Sequence, residues 1–154
     1  MPYYFLAPDL VSLEAQIDSL RQRIREAGSR KSASVQGGDT FHDNGAFEEA
    51  EREQQMWSTR LHELVQIRNG ARVATSEISK KDSVRIGSEV VLRDNTAGET
   101  LRLKIGSFMT FDDDPNVMSY NSPLARLIIG AKVNEVRTGH IADQKKEFCV
   151  LEIK

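Results

Sequence analysis

The chain has 154 residues, 39% hydrophobic and 29% charged, a balance that suits one domain or two small ones and excludes a disordered or membrane-spanning protein. Its 21 Lys and Arg stand against 23 Asp and Glu, for a net charge of −2, and a split after Ile78 leaves 9 cations to 12 anions and then 12 to 11. Neither half is the strongly basic surface that wraps nucleic acid by neutralising phosphates. A lone cysteine, Cys149, and three histidines exclude an internal disulfide and a closed zinc site, which fits a reducing cytoplasm.

The amino terminus, Met1 to Leu6, has neither a basic segment nor a long apolar core, so no signal peptide is expected. From Leu10 the pattern becomes helical. Leu10, Leu13, Ile17, Leu20, Ile24 and Ala27 recur at spacings of 3, 4, 3, 4 and 3, a heptad seam with Asp9 placed as N-cap after Pro8. The periodicity fades in the small and polar residues from Gly28 to Asp39. It returns in Phe47, Ala50, Gln54, Trp57, Leu61, Leu64, Arg68 and Ala71. Each seam must bury itself against something, and a short break joins them, so an antiparallel hairpin of helices 9–33 and 44–75 is expected. At ~1.5 Å per residue the first helix extends roughly 35–40 Å. Such a finger has little core of its own and serves to carry its tip, near residues 34–46, to another place.

A polar linker, Ser76 to Ser83, ends the helical half. Beyond it the period becomes two. Val84, Ile86, Val90, Leu92 and then Leu101, Leu103, Ile105 alternate with polar neighbours, and Asp94-Asn95 with Ala97-Gly98 supply a turn. A short helix follows, with Ser122 as N-cap, Pro123 at its first position, Leu124 to Ile129 as its body and Gly130 as its stop. Phe148 to Ile153 closes the chain as a strand. The fold class read from this order is α+β, an N-terminal antiparallel two-helix coiled coil over 1–76 followed by a small α+β domain over 79–154.

The sharpest chemistry lies at the tip, Gly37-Gly38-Asp39-Thr40-Phe41-His42-Asp43-Asn44-Gly45-Ala46-Phe47. Asp39 and Asp43 are two carboxylates on a projected turn, a donor set that suits Mg²⁺ when another partner completes the shell. The same residues also suit structural work, since Asp43 or Asn44 is a natural N-cap and Asp39 follows a glycine turn. Arg21, Arg23, Arg25, Arg30 and Lys31 make a cationic run outside the seam, readable as a solvated face. Trp57 and Phe47 sit on the second seam and read as core. Asp112-Asp113-Asp114-Pro115 reads as a solvated loop. Cys149 reads as a buried or inert thiol, and no phosphate loop or nucleophilic triad emerges.

The segment Asp43 to Gln54 resembles the coiled-coil tip of the bacterial Gre transcript-cleavage factors, which read approximately G-D-x-x-[ED]-N-x-x-[YF] followed by A, R, E and Q positions. Tyr120 to Val133, with its core Ser122-Pro123-Leu124-Ala125-Arg126, is similar to that family's S-P-[LIM]-[AG]-[RK] segment. The resemblance covers nearly the whole chain, and it implies a second domain resembling the FKBP fold. It also implies a monomeric cytoplasmic factor whose hairpin enters the secondary channel of bacterial RNA polymerase. There Asp39 and Asp43 would help hold a Mg²⁺ shared with the polymerase, beside the nascent RNA 3′ end. Two-metal chemistry of this kind makes the chain a co-catalyst and not an enzyme by itself. By the same resemblance Arg21, Arg25 and Arg30 face extruded RNA, and Ser122, Pro123 and Arg126 dock on the polymerase. One departure stands out: three residues, Thr40, Phe41 and His42, separate the two acids where the family has two. Three readings therefore remain: stimulated cleavage, channel occupancy without cleavage, and, by fold analogy alone, a prolyl isomerase using Phe108, Phe111, Tyr120 and Phe148.

Overall fold

A computed structural model describes residues 2–36, 45–74 and 82–154. In chain order the elements are β1 (Tyr3–Phe5), α1 (Ala7–Gln36), α2 (Gly45–Asn69), β2 (Ala71–Val73), β3 (Glu89–Asp94), β4 (Glu99–Gly106), β5 (Val117–Ser119), α3 (Pro123–Ile128), β6 (Val136–Ile141) and β7 (Gln144–Ile153). They divide into a helical unit, Val11–Ala71, and a sheet unit made of Pro2–Leu10 with Arg72–Lys154. This differs from the expected break between 76 and 79, because the N-terminal residues belong with the sheet unit. Phe5 is fully buried there, and β1 pairs with β2 in a two-stranded sheet extended by Ala74 N–H donating to Phe5 C=O at 2.7 Å.

In the helical unit the two seams meet as the heptads require. Leu13, Ile17 and Ala27 of α1 and Ala50 and Leu64 of α2 are buried. Pairs between the helices run in opposite order along the chain: Glu14 with Arg68 at 3.4 Å, Arg30 with Glu53 at 2.6 Å and Lys31 with Glu51 at 3.7 Å. The helices are therefore antiparallel. The second helix ends at Asn69, short of the expected 75, where Gly70 closes it by donating to the carbonyls of Gln66 and Ile67. The first begins at Ala7, so Asp9 lies inside the first turn and is not the N-cap.

The sheet unit is a five-stranded sheet in the order β5-β4-β3-β7-β6. Only the β4–β5 pair is parallel. Alternation, with a register shift at Val91/Leu92 in the β3–β7 pairing, places Val90, Leu92, Ile105, Phe148, Val150 and Ile153 in one core with Ala125 and Ile128 of α3 and the nearby Ala131. The β3–β4 turn forms where expected: Asp94 Oδ1 accepts from the N–H of Thr96 and Ala97, and Gly98 adopts a φ of 74°. The β6–β7 hairpin was not anticipated. Its turn residues, Ala142 and Asp143, take φ of 52° and 63° without a glycine, so they carry none of the usual hairpin signal.

Candidate functional site

The sheet unit builds its site around the start of α3. Ser122, extended at φ −67° and ψ 153°, caps the helix by accepting from Ala125 N–H. Pro123 takes the first helical position, where the absent N–H is no loss. Gly130, at φ 86°, stops the helix and donates to Val84 C=O at 2.8 Å. The helix lies directly on β6, because Gly139 has no Cβ; one built there would fall 2.8 Å from Leu127 Cδ1. This packing holds Ser122 half-buried and Pro123 and Arg126 exposed side by side. Arg126 has no side-chain partner among the described residues.

The approach to α3 is fastened by a cluster that sequence reasoning missed. Tyr4 N–H donates to the Tyr120 hydroxyl at 3.1 Å, and Phe108 N–H donates to Tyr4 C=O at 2.9 Å. Tyr3 lies against Phe108 at 4.5 Å between ring centroids, and Tyr4 against Tyr120 at 6.2 Å. Ser107, fully buried, accepts from Leu6 N–H and donates to the Asp9 carboxylate. All three tyrosines of the chain meet here. The available signal was the Tyr3-Tyr4-Phe5 run in a chain only 6% aromatic. The cluster also bears on the isomerase reading: Tyr3 and Tyr4 of the N-terminal segment lie against Phe108 and Tyr120, and Phe148 is buried in the core against which Tyr120 packs.

In the helical unit Arg21, Arg25 and Arg30 are exposed, as a solvent-facing run requires, but each has a partner. Arg21 pairs with Asp18 at 3.6 Å, Arg25 donates to Gln22 Oε1 at 2.7 Å, and Arg30 is held by Glu53. Arg23 sits 5.9 Å from the centre of the Trp57 ring, and Lys31 5.1 Å from that of Phe47, distances at which a cation is attracted to the ring face. Trp57 and Phe47 are only half-buried and lie beside cations of the facing helix, so they are not the core residues expected. Near this end Arg30, Ala33, Ala46, Glu49, Ala50 and Glu53 line a cavity of about 310 Å³, where alanines leave the space between the helices unfilled.

Asp39 and Asp43, with Thr40, Phe41 and His42, lie outside the described residues. Among the described residues no group of three or more His, Cys, Asp or Glu is placed to hold a metal ion, and no helix is long and apolar enough to cross a membrane. The Asp112–Asp114 run is an exposed loop whose carboxylates accept from their own backbone, Asp112 from Asp114 N–H and Asp114 from Asn116 N–H. It is the exposed loop expected.

Residues 79–154 match the family described as transcription elongation factor, GreA/GreB, C-term. Over nearly its full length the chain is similar to the transcription elongation factor GreA of Clostridium novyi, 30% identical across 99% of this chain and 96% of that protein. It is 27% identical to GreA of Acetivibrio thermocellus, covering 94% and 91% of the two chains. Among solved structures it is similar to GreA factor homolog 1 (Gfh1) of Thermus thermophilus, with a TM-score of 0.46 and 24% identity over 100% of this chain and 99% of that one.

Proposed function

The chain belongs to the GreA/GreB family of transcription elongation factors, and from that premise we propose that it binds bacterial RNA polymerase through the secondary channel and stimulates cleavage of backtracked nascent RNA. The observation that carries the proposal is the antiparallel pairing of α1 and α2. Residues 37–44, with both acids, lie in sequence between these two paired helices and outside the described residues. In this reading Asp39 and Asp43 hold a Mg²⁺ shared with the polymerase and orient a water at the nascent RNA 3′ end. The ion supplies charge stabilisation to the oxygens of the displacement. The chain contributes carboxylates to the polymerase's own centre and is no enzyme alone. Ser122, Pro123 and Arg126 supply the docking contact, and Arg21, Arg25 and Arg30 line the path of the extruded RNA. The protein acts in the cytoplasm.

A second reading has one observation in its favour: the three residues between the acids, one more than in the family pattern. A carboxylate displaced by about 1 Å costs on the order of 10² in rate, which would leave a channel-occupying regulator without cleavage. A stalled, backtracked polymerase complex separates the two. The proposal expects shortened RNA on adding the protein, loss of that product with Asp39→Ala or Asp43→Ala, and polymerase affinity nearly unchanged in both variants. Slowed elongation with no cleavage by the parent protein supports the second reading. Normal cleavage by both variants removes the carboxylates from the chemistry.

A further inference from the structure

Tyr4 gives both of its backbone groups to the segment that leads into α3. Strand β1 faces β2 through Phe5, whose C=O accepts from Ala74 N–H, so the groups of Tyr4 point the other way. Its N–H donates to the Tyr120 hydroxyl at 3.1 Å, and its C=O accepts from Phe108 N–H at 2.9 Å. Tyr120 and Asn121 are the two residues between β5 and Ser122. From Phe108 a second route reaches the same turn. Phe108 C=O accepts from the Ser119 hydroxyl at 2.9 Å, and Ser119 Oγ accepts from Asn121 N–H at 3.2 Å. Ser119 C=O accepts from Ser122 N–H at 3.0 Å, and Ser122 then caps α3 through Ala125 N–H. This clasp lies beside the core and is not part of it: Tyr3, Tyr4 and Phe108 stand outside that cluster, and Tyr120 packs against it.

We infer that Tyr120 is a positioning residue for the docking contact and that strand β1 acts through it. The bond from Tyr4 holds the Tyr120-Asn121 turn in the conformation that presents Ser122, Pro123 and Arg126 to the polymerase. This rests on the docking reading given above. A helix of six residues has no stability of its own, so contacts outside it must fix both of its ends. The exit of α3 is fixed by Leu127 over Gly139 and by the Gly130 bond to Val84. Its entry is fixed by Ser119 and Tyr120, and through them by the N-terminal strand. A surface already held in its bound shape gives up less freedom on association, so the clasp contributes to affinity without touching the partner. The Tyr120 ring also packs 6.2 Å from that of Tyr4 and 6.4 Å from that of Phe108. Tyr120→Phe keeps both ring contacts and removes the bond alone.

Competition with the parent protein for RNA polymerase, read beside hydrogen exchange of the free chain, tests this. Tyr120→Phe should lower affinity about two- to tenfold, the range that one net hydrogen bond commands. Its Tyr4, Ser122 and Ala125 amides should exchange faster, while those of Leu92 and Val150 stay slow. Ser119→Ala cuts the second route and should act in the same direction. Ile153→Val separates positioning from plain stability. It trims the core on β7, should lower the denaturation midpoint at least as much as Tyr120→Phe, and should bind as the parent does. Parent-like binding by Tyr120→Phe overturns the inference and leaves the docking reading standing. An Ile153→Val protein that loses as much affinity as Tyr120→Phe overturns it too. The docking reading has its own control in Arg126→Glu: full binding by that variant removes the α3 surface from the interface, and the inference with it.

Discussion

The helical unit and the sheet unit bury themselves by different means. Among the described residues the helical unit has Leu13, Ile17 and Leu64 fully buried, with only alanines beside them towards the tip. It is held further along by exposed ion pairs, and at Gly28 the partner helix comes so close that an added Cβ would lie 3.3 Å from Gln54 Nε2. The sheet unit packs Val90, Leu92, Ile105, Phe148 and Val150 under α3, with Phe5 buried at the N-terminal strand. Apolar area removed from water is the main source of stability. The sheet unit is therefore the anchor. Among the described residues the helical unit has fewer fully buried side chains and relies more on exposed ion pairs.

The chain carries its own probes of this contrast, since its single tryptophan, Trp57, lies in the helical unit and its three tyrosines lie in the sheet unit. The largest effect is expected from Ile128→Asp. A carboxylate would replace a fully buried side chain with no cation beside it in the core. Near-UV circular dichroism of the tyrosines should collapse and polymerase binding should be lost; a variant that keeps both would place Ile128 outside the core. Phe5→Ala comes next, at about 3–5 kcal/mol for an emptied aromatic site. If the N-terminal strand is part of the anchor, chemical denaturation followed by tyrosine dichroism should report that loss. An unchanged midpoint would return residues 2–10 to the finger.

How much of this was legible depended on the range over which each signal acts. Heptads such as Leu13–Ile17 and Ala50–Leu64 are local, and so is the Ser122-Pro123 start with the Gly130 stop of α3; all three could be read directly. Strand β1 and strand β2 have three residues each, too short for a period. The β6–β7 hairpin was hidden because Ala142-Asp143 lacks turn chemistry. Asp9 has the composition of a cap, but its partner, Ser107, lies 98 residues away and is supplied only by the tertiary fold. At the candidate site, Ser122, Pro123 and Arg126 sit together as read. The partner of Arg30 is 23 residues distant on the other helix and was invisible to a one-helix view.

Two smaller changes probe features of the anchor that the helical unit lacks. Ser107→Ala removes both bonds of a buried hydroxyl and strands Leu6 N–H and one side of the Asp9 carboxylate. It should cost about 1–3 kcal/mol in denaturant unfolding. Ala142→Gly works in the opposite direction. A left-handed alanine is strained, and relief of that strain outweighs the added freedom of the unfolded chain, so a gain of about 0.5–1 kcal/mol is expected. A lower melting temperature for that variant would show that the β6–β7 turn does not hold its alanine under strain.

The smallest stability effect, and the most telling one for function, is expected at Arg30–Glu53. The pair spans the two helices at 2.6 Å with side chains 56% and 29% exposed, so solvent screens it and its removal should cost no more than about 1 kcal/mol. Its consequence for RNA differs in kind. While Glu53 holds the guanidinium, Arg30 offers little net charge to a phosphate; Glu53→Gln keeps the shape and releases that charge. If Arg30 faces extruded RNA, Glu53→Gln should strengthen cross-linking of the protein to the nascent RNA 3′ end, more at low salt than at high salt. Arg30→Gln should weaken it under the same conditions, with the Trp57 fluorescence melt nearly unmoved in both variants. Equal cross-linking by parent, Glu53→Gln and Arg30→Gln would assign the pair to holding the helices together and leave RNA contact to Arg21 and Arg25, whose partners, Asp18 and Gln22, lie on their own helix and compete less rigidly for them.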